Sequence, residues 1–119
     1  MGILKGVLSR LPVKGPDGMI ELIEIDSIFY LEAKEGDTII RTKRKKVYHS
    51  VERLSALEKK LPQPPFVRSH REFLVNLNRV RAVIARSDRD HDLRLDPPVN
   101  RRIPIARNRL PKVRQILGL

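Results

Sequence analysis

Apolar residues in this chain come in short runs, and nearly every run is closed by a proline or by a cluster of turn-forming residues. Runs of that length, bounded in that way, read as strands rather than as long helices. Leu11-Pro12-Val13-Lys14 reads as an edge strand, where a proline is tolerated because no ladder donor is required of it. Gly15-Pro16-Asp17-Gly18 turns the chain, Asp-Gly being a strong hairpin signal, into a returning strand from Ile20 to Ile25 in which Ile20 and Leu22 alternate with Glu21. After a break at Asp26-Ser27, Ile28-Phe29-Tyr30-Leu31 is apolar throughout, as a strand covered on both faces would be. Thr38 to Thr42 and Val47 to His49 form a hairpin around Lys43-Arg44-Lys45-Lys46, four cations that mark an exposed basic tip. Further on, Phe66-Val67-Arg68 enters a strand, Ser69 to Glu72 is a tight polar turn and Phe73-Leu74-Val75 belongs to the core. Val80 to Ala85, Leu93 to Leu95 and Arg102 to Ile105 complete the strands, with polar turns at Ser87 to Asp92 and Asp96 to Asn100.

Two segments carry helical spacing instead. Val51, Leu54, Leu57 and Leu61 form one apolar stripe, with Ser50 as a candidate cap and Pro62, Pro64 and Pro65 as the stop. Its polar face mixes Glu52, Arg53, Glu58 and Lys59, which suits a structural prop better than a recognition helix. Leu110 to Leu117 is a terminal helix, with Pro111 in its first turn and Gly118 beyond its end. The expected fold class is therefore mostly β, with a short mid-chain helix and a C-terminal helix. A chain of 119 residues suits one domain; residues 1–10 read as an N-terminal linker or leader and residues 11–119 as the domain.

Charge gives the first indication of function. The formal net charge is +11, and it is unevenly spread: residues 66–119 hold 13 basic and 5 acidic side chains, and 12 of those 13 are arginine. A charge of this size opposes compaction and points to a polyanionic partner. Arginine offers a planar fork for phosphate and guanine, where lysine offers only a point charge.

Other classes are poorly supported. Without cysteine there is neither a disulfide nor a thiolate metal site. His49, His70 and His91 stand 21 residues apart and form no local ligand pattern, and His91 between Asp90 and Asp92 reads as part of a solvated turn. Ser69 and His70 are adjacent, a poor geometry for a nucleophile and its base, and neither a nucleophile elbow nor a Gly-rich phosphate loop is present. No enzyme activity, metal or cofactor is expected. No apolar run reaches the roughly 18 residues of a membrane span, so a cytoplasmic protein with no membrane partner is expected. Four of the five aromatics (Phe29, Tyr30, Phe66 and Phe73) lie in runs that look buried, leaving few stacking platforms for single strands. Two helices about 50 residues apart do not make a helix-turn-helix. Duplex DNA remains the favoured partner, with an RNA-binding, ribosomal-type structural protein as the alternative.

Phe66-Val67-Arg68-Ser69-His70-Arg71-Glu72-Phe73-Leu74-Val75-Asn76-Leu77 resembles the central motif of the LytTR family of bacterial transcription and response regulators. Ile25 to Glu32, Leu54 to Leu61 and Ile103-Pro104-Ile105-Ala106-Arg107 resemble three further family segments, in the family's order. The resemblance implies an elongated fold of several antiparallel sheets whose loops enter successive major grooves of promoter DNA. It implies base contacts from Arg71, from Arg107 and from the Lys34–Thr38 loop, through Lys34, Asp37 and Thr38. It also implies two protein copies on tandem sites, and an upstream sensor or receiver domain or partner that supplies the signal. Lys43, Arg44, Lys45, Arg68, His70, Asn108, Arg109 and Lys112 are the expected phosphate contacts. Two positions depart from the family pattern, Glu72 and Ala106, each standing where the family usually has serine. Asn76, flanked by Val75 and Leu77, reads as a buried structural amide.

Overall fold

A computed structural model describes residues 9–44 and 46–119, so most of the expected leader and Lys45 of the basic tip lie outside the described residues. Three antiparallel sheets stack around two cores. β1 (Arg10–Lys14) and β2 (Ile20–Glu24) form a hairpin. β3 (Ile28–Lys34), β4 (Asp37–Thr42), β5 (Val47–Ser50), β6 (Phe66–His70) and β7 (Phe73–Asn76) form the central sheet in the order β5-β4-β3-β7-β6. β8 (Val80–Ala85), β9 (His91–Leu95) and β10 (Arg102–Ile105) form a third sheet in the order β10-β9-β8. α1 (Leu54–Glu58) bridges β5 and β6, and α2 (Leu110–Ile116) closes the chain. The extents are 44 × 36 × 25 Å.

The central sheet is buried on both faces, which accounts for the unbroken apolar run in β3. On one side Leu11, Val13 and Ile23 of the first hairpin, with Leu54, Leu57 and Leu61 around α1, pack on Ile28, Leu31, Ile40, Phe66 and Leu74. On the other side Leu93, Leu95, Ile103, Ile105 and Val113 pack on Phe29, Tyr30, Val67, Phe73 and Val75. Strict alternation would send Ile28 and Tyr30 to the same face. A β-bulge between Ile28 and Tyr30 inserts Phe29 as the extra residue and resets the phase, so Phe29 and Tyr30 both enter the second core. Each large side chain fully withdrawn from water contributes about 1.5–3 kcal/mol.

Asn76 supports the junction as expected. Its Nδ2 donates to the Ile28 carbonyl at 2.9 Å, and its Oδ1 accepts from the Asn78 amide at 3.0 Å. One amide thereby ties the end of β7 to the start of β3 and shapes the turn into β8.

Four local expectations are corrected. Ser50 does not cap a helix: it ends β5, donates to the Lys14 carbonyl at 3.1 Å and accepts from the Glu52 amide at 3.0 Å. The chain is still extended there, with the Val51 amide bonded to Lys14, so α1 starts only at Leu54 and Val51 is exposed. Ser69 and His70 belong to β6 rather than to a turn, and the turn is confined to Arg71 and Glu72. His91 and Asp92 belong to β9 and are buried, Asp92 held by Arg86 and Arg102 at 3.2 Å each. The alternation of His91 with Leu93 and Leu95 is the signal that extends that strand. Ile20 and Leu22, 62% and 58% exposed, face solvent, and Ile23 is the residue of β2 that enters the core.

Candidate nucleic-acid interface

The strand registers bring several distant loops to one end of the molecule. Lys34 pairs with Asp37, so Glu35-Gly36 is a two-residue turn joining β3 to β4. Both turn residues have positive φ, 53° and 89°, the geometry of a type I′ hairpin. On the other side of β3, Glu32 pairs with Phe73 and the Ala33 amide donates to the Glu72 carbonyl at 2.8 Å. The Arg71-Glu72 turn therefore projects beside the Glu35-Gly36 turn. From β6 the Ser69 carbonyl accepts from the Ala106 amide at 2.7 Å, which places Arg107 next in line. His91 pairs with both Ala85 and Ile105, so the β8–β9 turn holding Asp90 lies at this end too. Two sheets, the central one and the third, thus contribute to one rim, on rigid strands that fix where each loop begins.

Along the rim the expected base contacts fare differently. Lys34 and Arg71 are exposed, and among the described residues the Arg71 guanidinium has no ion-pair or hydrogen-bond partner. A bulge between Arg68 and His70 makes Ser69 the extra residue of β6 and re-aims the tip that carries Arg71. Asp37 sits 2.9 Å from His49 Nε2. Thr38 is a correction: it is fully buried, and its hydroxyl donates to the Glu52 carbonyl at 2.8 Å, so it is a brace beneath the loop and cannot reach a base. Arg107 is 63% exposed and engages Asp90 through both carboxylate oxygens, Nε–Oδ1 at 2.9 Å and Nη2–Oδ2 at 3.2 Å. The Arg107 guanidinium, followed by the Ser87 hydroxyl, holds the Asp90 carboxyl below the usual carboxylate range, and Asp90 in turn raises Arg107.

The expected phosphate contacts divide as well. His70 Nδ1 accepts from the Glu72 amide at 3.1 Å, so the neutral ring carries its proton on Nε2, available to an outside acceptor. Asn108 and Lys112 are exposed, and Arg109 is half-buried with Nη1 3.4 Å from the Arg68 carbonyl. Arg68 is turned inward, its side chain 19% exposed. It binds Glu58 Oε1 at 2.7 Å, the His70 carbonyl at 3.0 Å and the Arg71 carbonyl, so it braces the turn in place of the phosphate role expected of it. Lys43 and Arg44 are exposed, as a basic tip requires, but Thr42 pairs with Ile28 at the opposite end of the central sheet. The whole length of β4 separates them from the rim.

The same accounting explains part of the arginine excess. Arg101 lies over the rings of Tyr30 and Phe73 and binds Glu32 at 2.9 Å, and Arg79 lies over Phe29 and binds the Asp26 carbonyl. These arginines tie sheets and turns together. His49, Arg53, Arg89 and Asp90 reach the rim without having been marked in the sequence. His49 and Asp90 are carried there by the β4–β5 and β8–β9 hairpins, and their partners Asp37 and Arg107 lie 12 and 17 residues away in sequence.

Residues 18–118 match the family profile described as the LytTr DNA-binding domain. The chain belongs to the LytTR family. The LytTR domain described here is 32% identical over 103 residues to the transcriptional regulatory protein YpdB of Escherichia coli K12, an alignment covering 87% of this chain and 41% of that protein. It is 29% identical over 100 residues to the sensory transduction protein LytT of Bacillus cereus, covering 84% of this chain and 39% of that one. The chain spans about two fifths of the length of these curated relatives. A solved LytTr DNA-binding domain from Bacillus cereus superposes with a TM-score of 0.79 at 26% identity, over 93% of this chain and 98% of that one. The family resemblance of the four motifs and the multi-sheet β fold are both upheld by these matches. Among the described residues, no helix is long and apolar enough to cross a membrane, and no group of His, Asp and Glu could hold a metal ion.

Proposed function

We propose that this LytTR domain binds duplex promoter DNA in a sequence-specific way, as the cytoplasmic output domain of a bacterial transcription regulator. The observation that supports this most is the rim itself: loops of two sheets meet at one end, and Lys34, Arg71 and Arg107 project from them on rigid strand ends. In this reading Arg71, Arg107, Lys34 and Asp37 address base edges in the major groove. An arginine fork matches guanine O6 and N7, and a carboxylate can accept from a cytosine amine. His70 through Nε2, Asn108, Arg109 and Lys112 hold the flanking phosphates, which set position and carry no sequence information. The domain serves as the DNA-contacting part of a longer regulatory system, in which a sensor or receiver domain or partner supplies the signal.

The experiment is selection of bound duplexes from a random pool, followed by titration of a recovered duplex, a scrambled duplex and an A-form RNA duplex of equal length. A recovered sequence bound at least a hundredfold more tightly than its scramble is the expected result. Equal affinity for all three would leave only a polyanion binder and would refute the sequence-reading role.

A further inference from the structure

Asp90 is an acid on the rim, paired with one of its arginines, and its placement is built. The β8–β9 turn folds back so that the Arg86 and Ser87 amides donate to the Asp90 carbonyl at 2.7 and 3.3 Å. The Ser87 hydroxyl donates to Asp90 Oδ2 at 3.1 Å and accepts from the Asp90 amide at 3.1 Å. The carboxylate is thus fixed before Arg107 meets it. Arg107 is fixed from its own side, since it follows the Ala106 amide that is tied to β6. The contact uses the Nε and Nη2 edge of the guanidinium. That choice leaves the end edge, formed by Nη1 and the second Nη2 hydrogen, free. The end edge is a two-pronged donor of the kind a guanine can accept.

We propose that Asp90 is a specificity-determining residue of the DNA-binding rim: it clamps Arg107 by one edge, aims the other at a base, and withholds the arginine from phosphates. Two physical effects act together. The clamp holds a long side chain in one orientation before binding, so less freedom is lost when a base is met. The carboxylate also cancels one positive charge at the rim, so contact with a featureless phosphate backbone releases fewer counterions. The first effect favours the cognate sequence and so widens the ratio between it and any other; the second weakens binding to every sequence and by itself leaves that ratio unchanged. The inference rests on the reading of Arg107 as a base contact.

The test uses a duplex recovered by selection and its scramble, titrated at two salt concentrations with the wild type, Asp90→Asn, Ser87→Ala, Arg107→Ala and the double variant Asp90→Asn/Arg107→Ala. Melting curves are taken for each. Asp90→Asn should tighten scrambled binding, steepen its salt slope by about one, and lower the specific-to-scrambled ratio about five- to tenfold, the lower range for one bidentate base contact. Ser87→Ala loosens the carboxylate and keeps its charge, so it should lower the ratio with the scrambled salt slope unchanged. In the Arg107→Ala background, Asp90→Asn should leave the ratio where it is. A ratio retained in Asp90→Asn, or lowered equally with and without Arg107, overturns the clamp. A wild type with no preference for the recovered duplex overturns the sequence-reading function itself, a separate outcome seen before any variant is made.

Discussion

Arg71→Ala and Lys43→Ala remove one positive charge each, yet the structure separates them by the length of β4. That strand runs from Asp37 to Thr42, six residues, or about 20 Å at the usual strand rise. A unit charge about 20 Å from a phosphate interacts by about 0.2 kcal/mol in water. A Debye length of about 8 Å at physiological salt cuts this roughly tenfold, so even about six phosphates at the rim feel only about 0.1 kcal/mol from Lys43. Arg71 projects from the rim with no competing partner among the described residues. Its loss should cost about 1–3 kcal/mol on a selected duplex and much less on its scramble. Both variants should melt as the wild type does, because both side chains are exposed. Fluorescence anisotropy titrations of the two duplexes at two salt concentrations would read all of this. The outcome that refutes the geometry is a Lys43→Ala variant that weakens both duplexes several-fold and lowers the salt slope by about one. The duplex would then lie along the sheet and touch the basic tip, instead of lying across the rim.

Other consequences are measurable. Binding should weaken steeply with salt, with a log–log slope near −5 for about six neutralised phosphates; a slope near zero at constant pH would remove the electrostatic basis of the interface. Titration with footprinting on a natural-length operator should show two protected sites on the same DNA face, while sedimentation of the free protein shows a monomer, since +11 disfavours self-association. A half-site bound as tightly as the pair would rule the tandem arrangement out. Asn76→Ala should destabilise by about 2–4 kcal/mol, because two hydrogen bonds are lost and the Ile28 carbonyl is left buried without its donor; in urea melts, a change under about 1 kcal/mol would mean that water replaces the amide. Thr38→Val should cost about 1–2 kcal/mol of stability by orphaning the Glu52 carbonyl, with DNA affinity unchanged; loss of affinity in a normally stable variant would restore Thr38 as a contact.

Strand identity was legible in this sequence wherever a run met both a burial pattern and a turn signal, and it blurred where polar residues do core work. The Asp17-Gly18 hairpin and the start of β3 needed only local chemistry, while the end of β3 was placed at Leu31 and runs on to Lys34. The ends of β6 and β9 were cut short because Ser69, His70, His91 and Asp92 look like turn residues, and only the neighbouring strands make them extended. The bulges at Phe29 and Ser69 are equally silent, since an inserted residue carries no composition of its own. The placement of the proposed contacts was legible to the same degree. Arg71 and Arg107 were expected on turns beside apolar strands, and both are exposed there. Thr38 and Arg68 could not be told from them, because whether a polar side chain turns in or out depends on partners such as the Glu52 carbonyl and Glu58.

Charge counting is the weakest of these signals, for a physical reason that this domain makes plain. Arginine serves two ends with one fork. Arg68, Arg79 and Arg101 use it inward, on carbonyls, a carboxylate and aromatic rings, where a lysine could not span the same set of acceptors. Arg71 and Arg107 use it outward. A chain that builds three sheets around two small cores, without tryptophan or cysteine, needs such cross-links between layers, and it meets the need with the residue type that also reads DNA. On the proposed reading the net charge therefore overstates the interface, since Lys43 and Arg44 lie at the opposite end of the central sheet. What separates the exposed arginines from the braces is topology: the registers that set Glu35-Gly36, Arg71-Glu72 and Arg107 side by side also decide which arginines face outward at the rim.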